Sequence, residues 1–147
     1  MIHSVVHRLH NPDIAILLLR VALGLVFVFH GYQKIGSMEQ TIGFFASLGI
    51  PAFLTYATAW VEFVGGLLFI GGLFVRYAGV ALTVVMTVAL FLVHFEKGFS
   101  LTNGGYEYAL TLLLGSLALV FSGSGKYSLA AVLKHPAVCE TCEVGNA

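Results

Sequence analysis

The chain has 147 residues, of which 59% are hydrophobic and only 10% are charged, and its mean hydropathy of +0.95 is far above that of soluble domains. Seven Lys and Arg residues balance seven Asp and Glu residues, so no net positive field attracts nucleic acid. These values exclude an ordinary soluble domain and a nucleic-acid-binding protein. They predict one compact unit embedded in a lipid bilayer.

The first thirteen residues have the pattern of a helix lying in the headgroup plane. Its apolar face carries Ile2, Val5, Val6 and Leu9. The other faces carry His3, His7 and His10, among other polar residues. Three histidines without a carboxylate or Cys partner make a poor metal site. We therefore expect residues 1–13 to form an amphipathic interfacial segment.

Four apolar segments follow in chain order. A hydrocarbon core of about 30 Å requires about 20 apolar residues in a helix. The segments that approach this length cover residues 14–31, 53–74, 77–95 and 106–122. Turn-forming or charged residues bound each of them, and the link between the second and third is short. The sequence therefore predicts an all-α fold, an integral membrane four-helix bundle over residues 14–133.

The basic residues near the span ends indicate the orientation. With four spans, both termini lie on one side of the membrane. That side carries Arg8, Arg76, Lys126 and Lys134, whereas the other carries Lys34 and Lys97. Because Lys and Arg accumulate on the cytoplasmic side, we expect both termini to be cytoplasmic, in the plasma (inner) membrane of a prokaryote.

Two charged residues lie within the predicted spans. A charge near the bilayer centre costs about 2.5–3.5 kcal/mol on insertion scales, so such residues usually face the interior and find partners. Arg20 and Glu62 lie at depths of about 9 and 18 Å from the same side, a gap that a long Arg side chain can close. An ion pair between them could be functional, or it could only fix helix packing.

Each span also carries a stripe of polar or small residues at helical spacing, and four such stripes imply one shared interior. The stripes are Arg20, Gly24 and Gly31; Thr55, Thr58, Glu62 and Gly65; Thr83, Thr87 and His94; and Glu107, Thr111 and Ala118. Small residues allow close helix approach in lipid, so Gly65-Gly66 and Gly71-Gly72 predict that the second span packs tightly.

Polar side chains converge at the outer ends of the spans. His30, His94 and Glu107 are the candidate catalytic residues, because an imidazole near a carboxylate can exchange protons with a quinone or quinol headgroup. Two His and one carboxylate could also hold a metal. The candidate substrate-binding residues are Arg20, Lys34, Glu62, Asn103, Tyr106 and Tyr108. The Tyr and Lys residues could instead be interfacial anchors.

Several short motifs resemble, in order and context, those of the DoxX family of small four-helix membrane proteins. They include "HGYQKIG" (30–36), "VEFVGGLLFIGGLFVR" (61–76), "NGGYEYAL" (103–110) and "GSGKYSL" (123–129). The resemblance covers residues 14–133. It implies a membrane subunit associated with quinol oxidases, thiosulfate:quinone oxidoreductases or thiol-stress complexes. One departure is Ala109, where the family pattern has Pro.

The last residues, 134–147, form a polar tail with a C-x-x-C motif. Cys139 and Cys142 are flanked by Glu140 and Glu143, whose charges disfavour a reactive thiolate. His135 adds only a third candidate metal ligand, one short of a zinc site. We therefore expect an accessory tail, with no metal held by this chain alone.

Two functions remain open. The chain could be a membrane subunit of a quinone-linked oxidoreductase whose redox cofactors reside on a partner, with quinone as its ligand and no intrinsic cofactor. It could instead be a non-catalytic scaffold that recruits or stabilises a redox or stress-response partner. The expected protein partner is a subunit of a membrane redox complex or a second copy of this chain. The two functions differ on whether an apolar pocket of quinone size opens near His30, His94 and Glu107.

Overall fold

The structure, a computed structural model, describes residues 11–134. These residues are largely helical, and no strand occurs among them. In chain order the α-helices are α1 (Pro12–Gly36), α2 (Met38–Ser47), α3 (Ala52–Gly71), α4 (Val75–Ala89), α5 (Glu107–Ser122) and α6 (Leu129–Lys134). The predicted all-α fold is confirmed for this part of the chain.

Helix α1 begins at Pro12, just before the predicted start at residue 14, and ends later than predicted. The Asn11 side chain accepts a hydrogen bond from the Ile14 N–H at 3.3 Å, and Pro12 occupies the first turn. The helix then continues to Gly36, past the predicted end at residue 31. It continues because the polar residues after His30 still form helical hydrogen bonds, so the apolar segment ends before the helix does.

A three-residue turn joins α3 to α4. The left-handed backbone of Gly72 (φ 70°) ends α3, and its N–H donates to the Leu68 carbonyl at 2.8 Å. Phe74 also has a positive φ of 47°, and α4 begins at Val75. The predicted short link is confirmed, but the prediction that the second span reaches residue 74 is wrong, because apolar residues continue through the turn.

Helix α4 changes its winding near its end. Leu90–His94 form a π-helical turn and Phe95–Lys97 a 3₁₀ turn, so the continuous apolar helix runs over Val75–Lys97. Such π turns are rare and often occur at functional sites. His94 closes this one, directly before the loop that leads to α5.

The long helices contact one another in the pairs α1–α3, α3–α4, α4–α5 and α1–α5. Helices α1 and α3 approach most closely at glycines. A methyl group on Gly66 would lie 2.7 Å from both the Gly24 oxygen and the Val28 nitrogen, and Gly31 lies similarly against the Phe63 backbone. The predicted tight packing of the second span is therefore confirmed.

The predicted interior stripe of the fourth span is wrong. Thr111 and Ala118 are exposed, and the buried face of α5 carries Ala109, Leu112, Ser116 and Leu119. The Thr111 hydroxyl donates to the Glu107 carbonyl at 2.8 Å within its own helix. Because its own helix satisfies this hydroxyl, the residue needs no partner in the interior.

Three helices of the described chain are long and apolar enough to cross a membrane, namely Pro12–Gly36, Ala52–Gly71 and Val75–Lys97. The shorter Glu107–Ser122 is also apolar. Large apolar side chains such as Leu18, Phe53 and Phe121 are exposed on the outside of these helices. A soluble protein cannot present such a surface to water, so these helices are in contact with lipid.

Candidate functional site

A cavity of about 580 Å³ opens between α3 and α4. Its lining residues on α3 all precede Gly65, and those on α4 all follow Leu82. At these two residues the helices are in contact, since a methyl group on Gly65 would lie 3.1 Å from Leu82. The cavity therefore occupies the half of the α3–α4 interface that is remote from the Gly72–Phe74 turn.

The walls of this cavity are mostly apolar. The buried residues Phe27 of α1 and Leu112 of α5 line it, as do Phe44 and Phe45 of α2 together with Ile50. A smaller set of polar side chains also lines the cavity: His30, Lys34, Thr58, Glu62, His94 and Tyr108. We call this set the polar lining. An apolar cavity with a few polar groups is the usual form of a small-molecule site.

An ion pair between Lys34 and Glu62 is the main electrostatic feature of the polar lining. Lys34 Nζ donates to Glu62 Oε2. Glu62 is 1% exposed, whereas the Lys34 side chain retains 24% exposure. Lys34 lies in the last turn of α1, where the helix dipole favours a cation. A buried carboxylate is stable only with such a partner, so Lys34 allows Glu62 to lie within α3.

The predicted ion pair between Arg20 and Glu62 is therefore wrong. Arg20 is also 1% exposed, but its guanidinium donates to the carbonyl oxygens of Ser124 and, at 2.8 Å, Tyr127. Both charges lie inside long apolar helices, as the sequence predicts. The partner of Arg20 differs because the turn after α5 supplies carbonyl oxygens to its guanidinium. Arg20 does not line the cavity.

Glu107 does not line the cavity, although the next residue, Tyr108, does. Its Oε1 accepts a hydrogen bond from the Leu101 N–H at 2.6 Å, and its own N–H donates to the Phe99 carbonyl at 3.0 Å. These bonds tie the loop that precedes α5. Asn103 is exposed in the same loop, and Tyr106 stacks on Phe95 with ring centroids 5.8 Å apart. The predicted catalytic and binding roles of these residues stay predictions.

Both histidines of the predicted site line the cavity. His94 Nδ1 lies 2.8 Å from the Gly104 carbonyl oxygen. A carbonyl can only accept, so Nδ1 carries the proton, and in a neutral ring Nε2 is then an acceptor. His30 Nε2 lies 3.5 Å from the Tyr108 hydroxyl. The structure thus brings together His30, Lys34, Glu62, His94 and Tyr108 from the predicted set.

Most of the residues of the polar lining lie in a region that matches a known protein family. A family model described as DoxX matches residues 15–95, more than half of the chain. The chain belongs to the DoxX family. Of the polar lining, only Tyr108 falls outside the matched region.

Relatives of this DoxX chain occur in several bacteria. A Bacillus subtilis protein named "Putative oxidoreductase CatD" is 39% identical over 112 residues, 76% of this chain and 81% of that protein. The Escherichia coli "Inner membrane protein YqjF" is 26% identical over 121 residues, 82% of this chain and 93% of that protein. The "Uncharacterized membrane protein Rv3486" of Mycobacterium tuberculosis is 34% identical over 128 residues, 78% of each chain. No solved structure matches the chain significantly.

The apolar lining of the DoxX chain was not predicted as part of a site. On α3 it comprises Leu54, Ala57 and Val61, which share a helical face with Glu62. That spacing is visible in the sequence. Selecting the whole face that surrounds the buried carboxylate, and not only its polar members, would have identified this wall.

The metal candidates of the sequence fall into two groups. Within residues 11–134, no three His, Cys, Asp or Glu side chains come together as a metal site would require. His30, His94 and Glu107 therefore do not form the open ligand set considered above. His3, His7 and His10, the interfacial segment before residue 11, and the tail with His135, Cys139 and Cys142 lie outside the described residues.

Proposed function

We propose that this DoxX protein is a membrane subunit of a quinone-linked oxidoreductase, and that the cavity between α3 and α4 binds the headgroup of a quinone or quinol. The observation that carries the proposal is an apolar cavity of about 580 Å³ with polar side chains in its lining. Small-molecule sites usually have volumes of about 300–1,000 Å³. A quinone has a compact ring with two oxygens and an apolar tail, which matches this division into polar and apolar walls.

The position of the cavity suits a ligand that arrives from the bilayer. Leu54 of α3, Val84 of α4 and Leu92 in the π turn that extends α4 line the cavity, and each is at the same time about half exposed on the outer surface of the helices. A lipid-soluble ligand can therefore enter between the two helices without crossing water. This entry route supports a quinone over a water-soluble substrate.

The polar lining supplies the groups that a quinone headgroup needs. Lys34 and Tyr108 can donate hydrogen bonds to its oxygens, and His30 or His94 can exchange a proton with it. In this proposal, the electrons pass to or from a redox cofactor on a partner subunit, because an organic cofactor or metal centre performs such electron transfer. The name of the Bacillus subtilis relative, which describes an oxidoreductase, supports a redox role.

We further infer four membrane spans, α1, α3, α4 with its extension, and α5, in a prokaryotic plasma membrane with both termini in the cytoplasm. The Asp13 carboxylate accepts a hydrogen bond from the Lys126 N–H at 2.9 Å, so the two ends of this region lie together. Arg76 follows the short turn after α3 and adds a basic residue to the same end. The name of the Escherichia coli relative supports the inner membrane.

The alternative function is a non-catalytic scaffold for a redox or stress-response partner. The ion pair between Lys34 and Glu62 is compatible with this function, since holding α1 against α3 would be a sufficient role for the pair. A scaffold does not need a ligand in the cavity. The two functions therefore differ in one measurable property, saturable quinone binding.

Photoaffinity labelling tests the proposal. The full-length protein in lipid nanodiscs is irradiated with an azido-benzoquinone, and the labelled peptides are identified by mass spectrometry. Labelling within residues 54–62 and 84–94 that unlabelled quinone displaces supports the proposal. Ala89→Trp fills the cavity and should abolish this labelling, whereas Val80→Trp on the exposed face of the same helix should not. Diffuse labelling that quinone does not displace would favour the scaffold.

A further inference from the structure

The polar lining contains a carboxylate, that of Glu62, in which only one of the two oxygens accepts a hydrogen bond from residues 11–134. Lys34 bonds to Glu62 Oε2, and no hydrogen bond to Glu62 Oε1 occurs among the described residues. The Arg20 Nε atom is completely buried and has no hydrogen-bond partner in this part of the chain, whereas Glu62 Oε1 is not completely buried. Glu62 is buried and lines the cavity, so a molecule in the cavity can approach the carboxylate that carries this oxygen.

The Nε2 atom of His94 is a second acceptor in the polar lining. His94 Nδ1 donates to the Gly104 carbonyl, so Nε2 of the neutral ring accepts. The donors of the lining, Lys34 Nζ and the Tyr108 hydroxyl, can bond to the oxygens of either redox form of a quinone. The acceptors, Glu62 Oε1 and His94 Nε2, can form hydrogen bonds only with the quinol, because a quinol has two O–H groups whereas a quinone has none.

We propose that Glu62 makes the cavity selective for the reduced, hydroxyl-bearing quinol by accepting a hydrogen bond from one of its O–H groups. This inference rests on the proposed function. A quinone carbonyl facing Glu62 Oε1 would place two acceptors together and leave that oxygen without a donor, even though Lys34 pairs with Oε2. A quinol turns the same contact into a charge-assisted hydrogen bond.

The size of the selectivity follows from the type of bond. A hydrogen bond to a charged group corresponds to roughly ten- to hundredfold in affinity. Because binding and redox equilibria are linked, tighter binding of the quinol shifts the midpoint potential of the bound couple upward. The shift is about 30 mV for each tenfold of selectivity in a two-electron couple.

Titration with both redox forms tests the proposal. The dissociation constants of a decyl-tailed benzoquinone and of its chemically reduced quinol are measured anaerobically on the full-length protein in nanodiscs. We expect the wild type to bind the quinol at least about tenfold more tightly. In Glu62→Gln the amide can donate to a carbonyl as well as accept, so the two affinities should converge. The matched control, Glu39→Gln, removes an exposed carboxylate that does not line the cavity and should keep the wild-type ratio.

The double variant Lys34→Met/Glu62→Gln covers the case in which Glu62→Gln does not fold, because it leaves no unpaired ammonium group. It too should lose the preference for quinol. Equal affinities in the wild type, or an unchanged ratio in a folded Glu62 variant, overturn the selectivity while leaving the quinone site in place. If neither form binds the wild type, the proposed function fails together with this inference.

Discussion

Lys34, in the last turn of α1, donates to Glu62 in the middle of α3, and both residues line the cavity. The pair joins two helices whose backbones already meet at Gly24, Gly31 and Gly66. Because Glu62 is almost fully buried, its charge there depends on Lys34. The stability of the α1–α3 contact and the chemistry of the cavity are therefore connected through one ion pair.

Removing one member of this pair should cost more than removing both. Breaking a fully buried pair costs about 3–5 kcal/mol. Since the Lys34 side chain keeps partial contact with solvent, we expect Lys34→Met to destabilise the protein by about 2 kcal/mol. Thermal unfolding in detergent measures the loss. The double variant Lys34→Met/Glu62→Leu should recover most of it, and equal stabilities of single and double variants would contradict a role for charge pairing.

The close approach of α1 and α3 predicts a second stability effect. In Gly66→Ala the added methyl group meets the Gly24 oxygen and the Val28 nitrogen at 2.7 Å, and backbone atoms cannot move aside. Such overpacking costs about 1–3 kcal/mol. Gly43→Ala is the matched control, since nothing lies within 4 Å of its new methyl group in α2. That variant should be neutral or more stable by up to about 1 kcal/mol.

The sequence predicted the helical class, the approximate positions of the apolar helices and the tight packing at glycines of α3, because hydropathy and residue size are properties of each segment alone. It placed Arg20, Gly24 and Glu62 in the interior for the same reason, and all three are buried. The pairing of Arg20 could not be predicted, since its acceptors are backbone carbonyls of a turn over a hundred residues away. Backbone groups carry no sequence signal.

The orientation of α5 shows a second limit. Glu107 and Thr111 read as the start of an interior stripe, but each is satisfied locally, by the Leu101 N–H and by a helix carbonyl. Polar residues that bond to nearby backbone can face outward even in an apolar helix. The sequence could only pose the question whether a pocket opens near His30 and His94, because its presence depends on how α3 and α4 separate beyond Gly65 and Leu82, a property of two helices together.

Glu107 should be required for the loop before α5 and not for ligand binding. Glu107→Ala removes the acceptor of the Leu101 N–H, which should raise amide hydrogen exchange across residues 98–106. Glu107→Gln keeps an oxygen acceptor and should leave both exchange and quinone affinity within about twofold of the wild type. If Glu107→Gln folds normally but loses quinone binding, Glu107 contributes to the ligand site together with His30 and His94, as the sequence predicts.

Arg20 should hold the segment after α5 in place. Arg20→Met removes the hydrogen bonds to the Ser124 and Tyr127 carbonyls, so residues 123–128 should become more susceptible to limited proteolysis. Quinone affinity should not change in protein that remains inserted, because Arg20 does not line the cavity. Lys126→Met is a useful comparison, since its backbone N–H bond to Asp13 survives the substitution. Equal protease resistance of Arg20→Met and the wild type would show that other contacts hold this segment.

Two substitutions of His94 separate its contact with the loop from its contact with the cavity. The side-chain amide of Asn can take the place of Nδ1, so His94→Asn should keep the bond to the Gly104 carbonyl and lose the group that reaches the cavity. Its thermal stability should be close to that of the wild type, with quinol affinity lower by roughly two- to tenfold. His94→Gln places its amide nearer to Nε2, so it should show the opposite result, lower stability with affinity retained. If both variants lose stability and affinity together, His94 acts only by anchoring the loop, and Glu62 remains as the acceptor for the ligand.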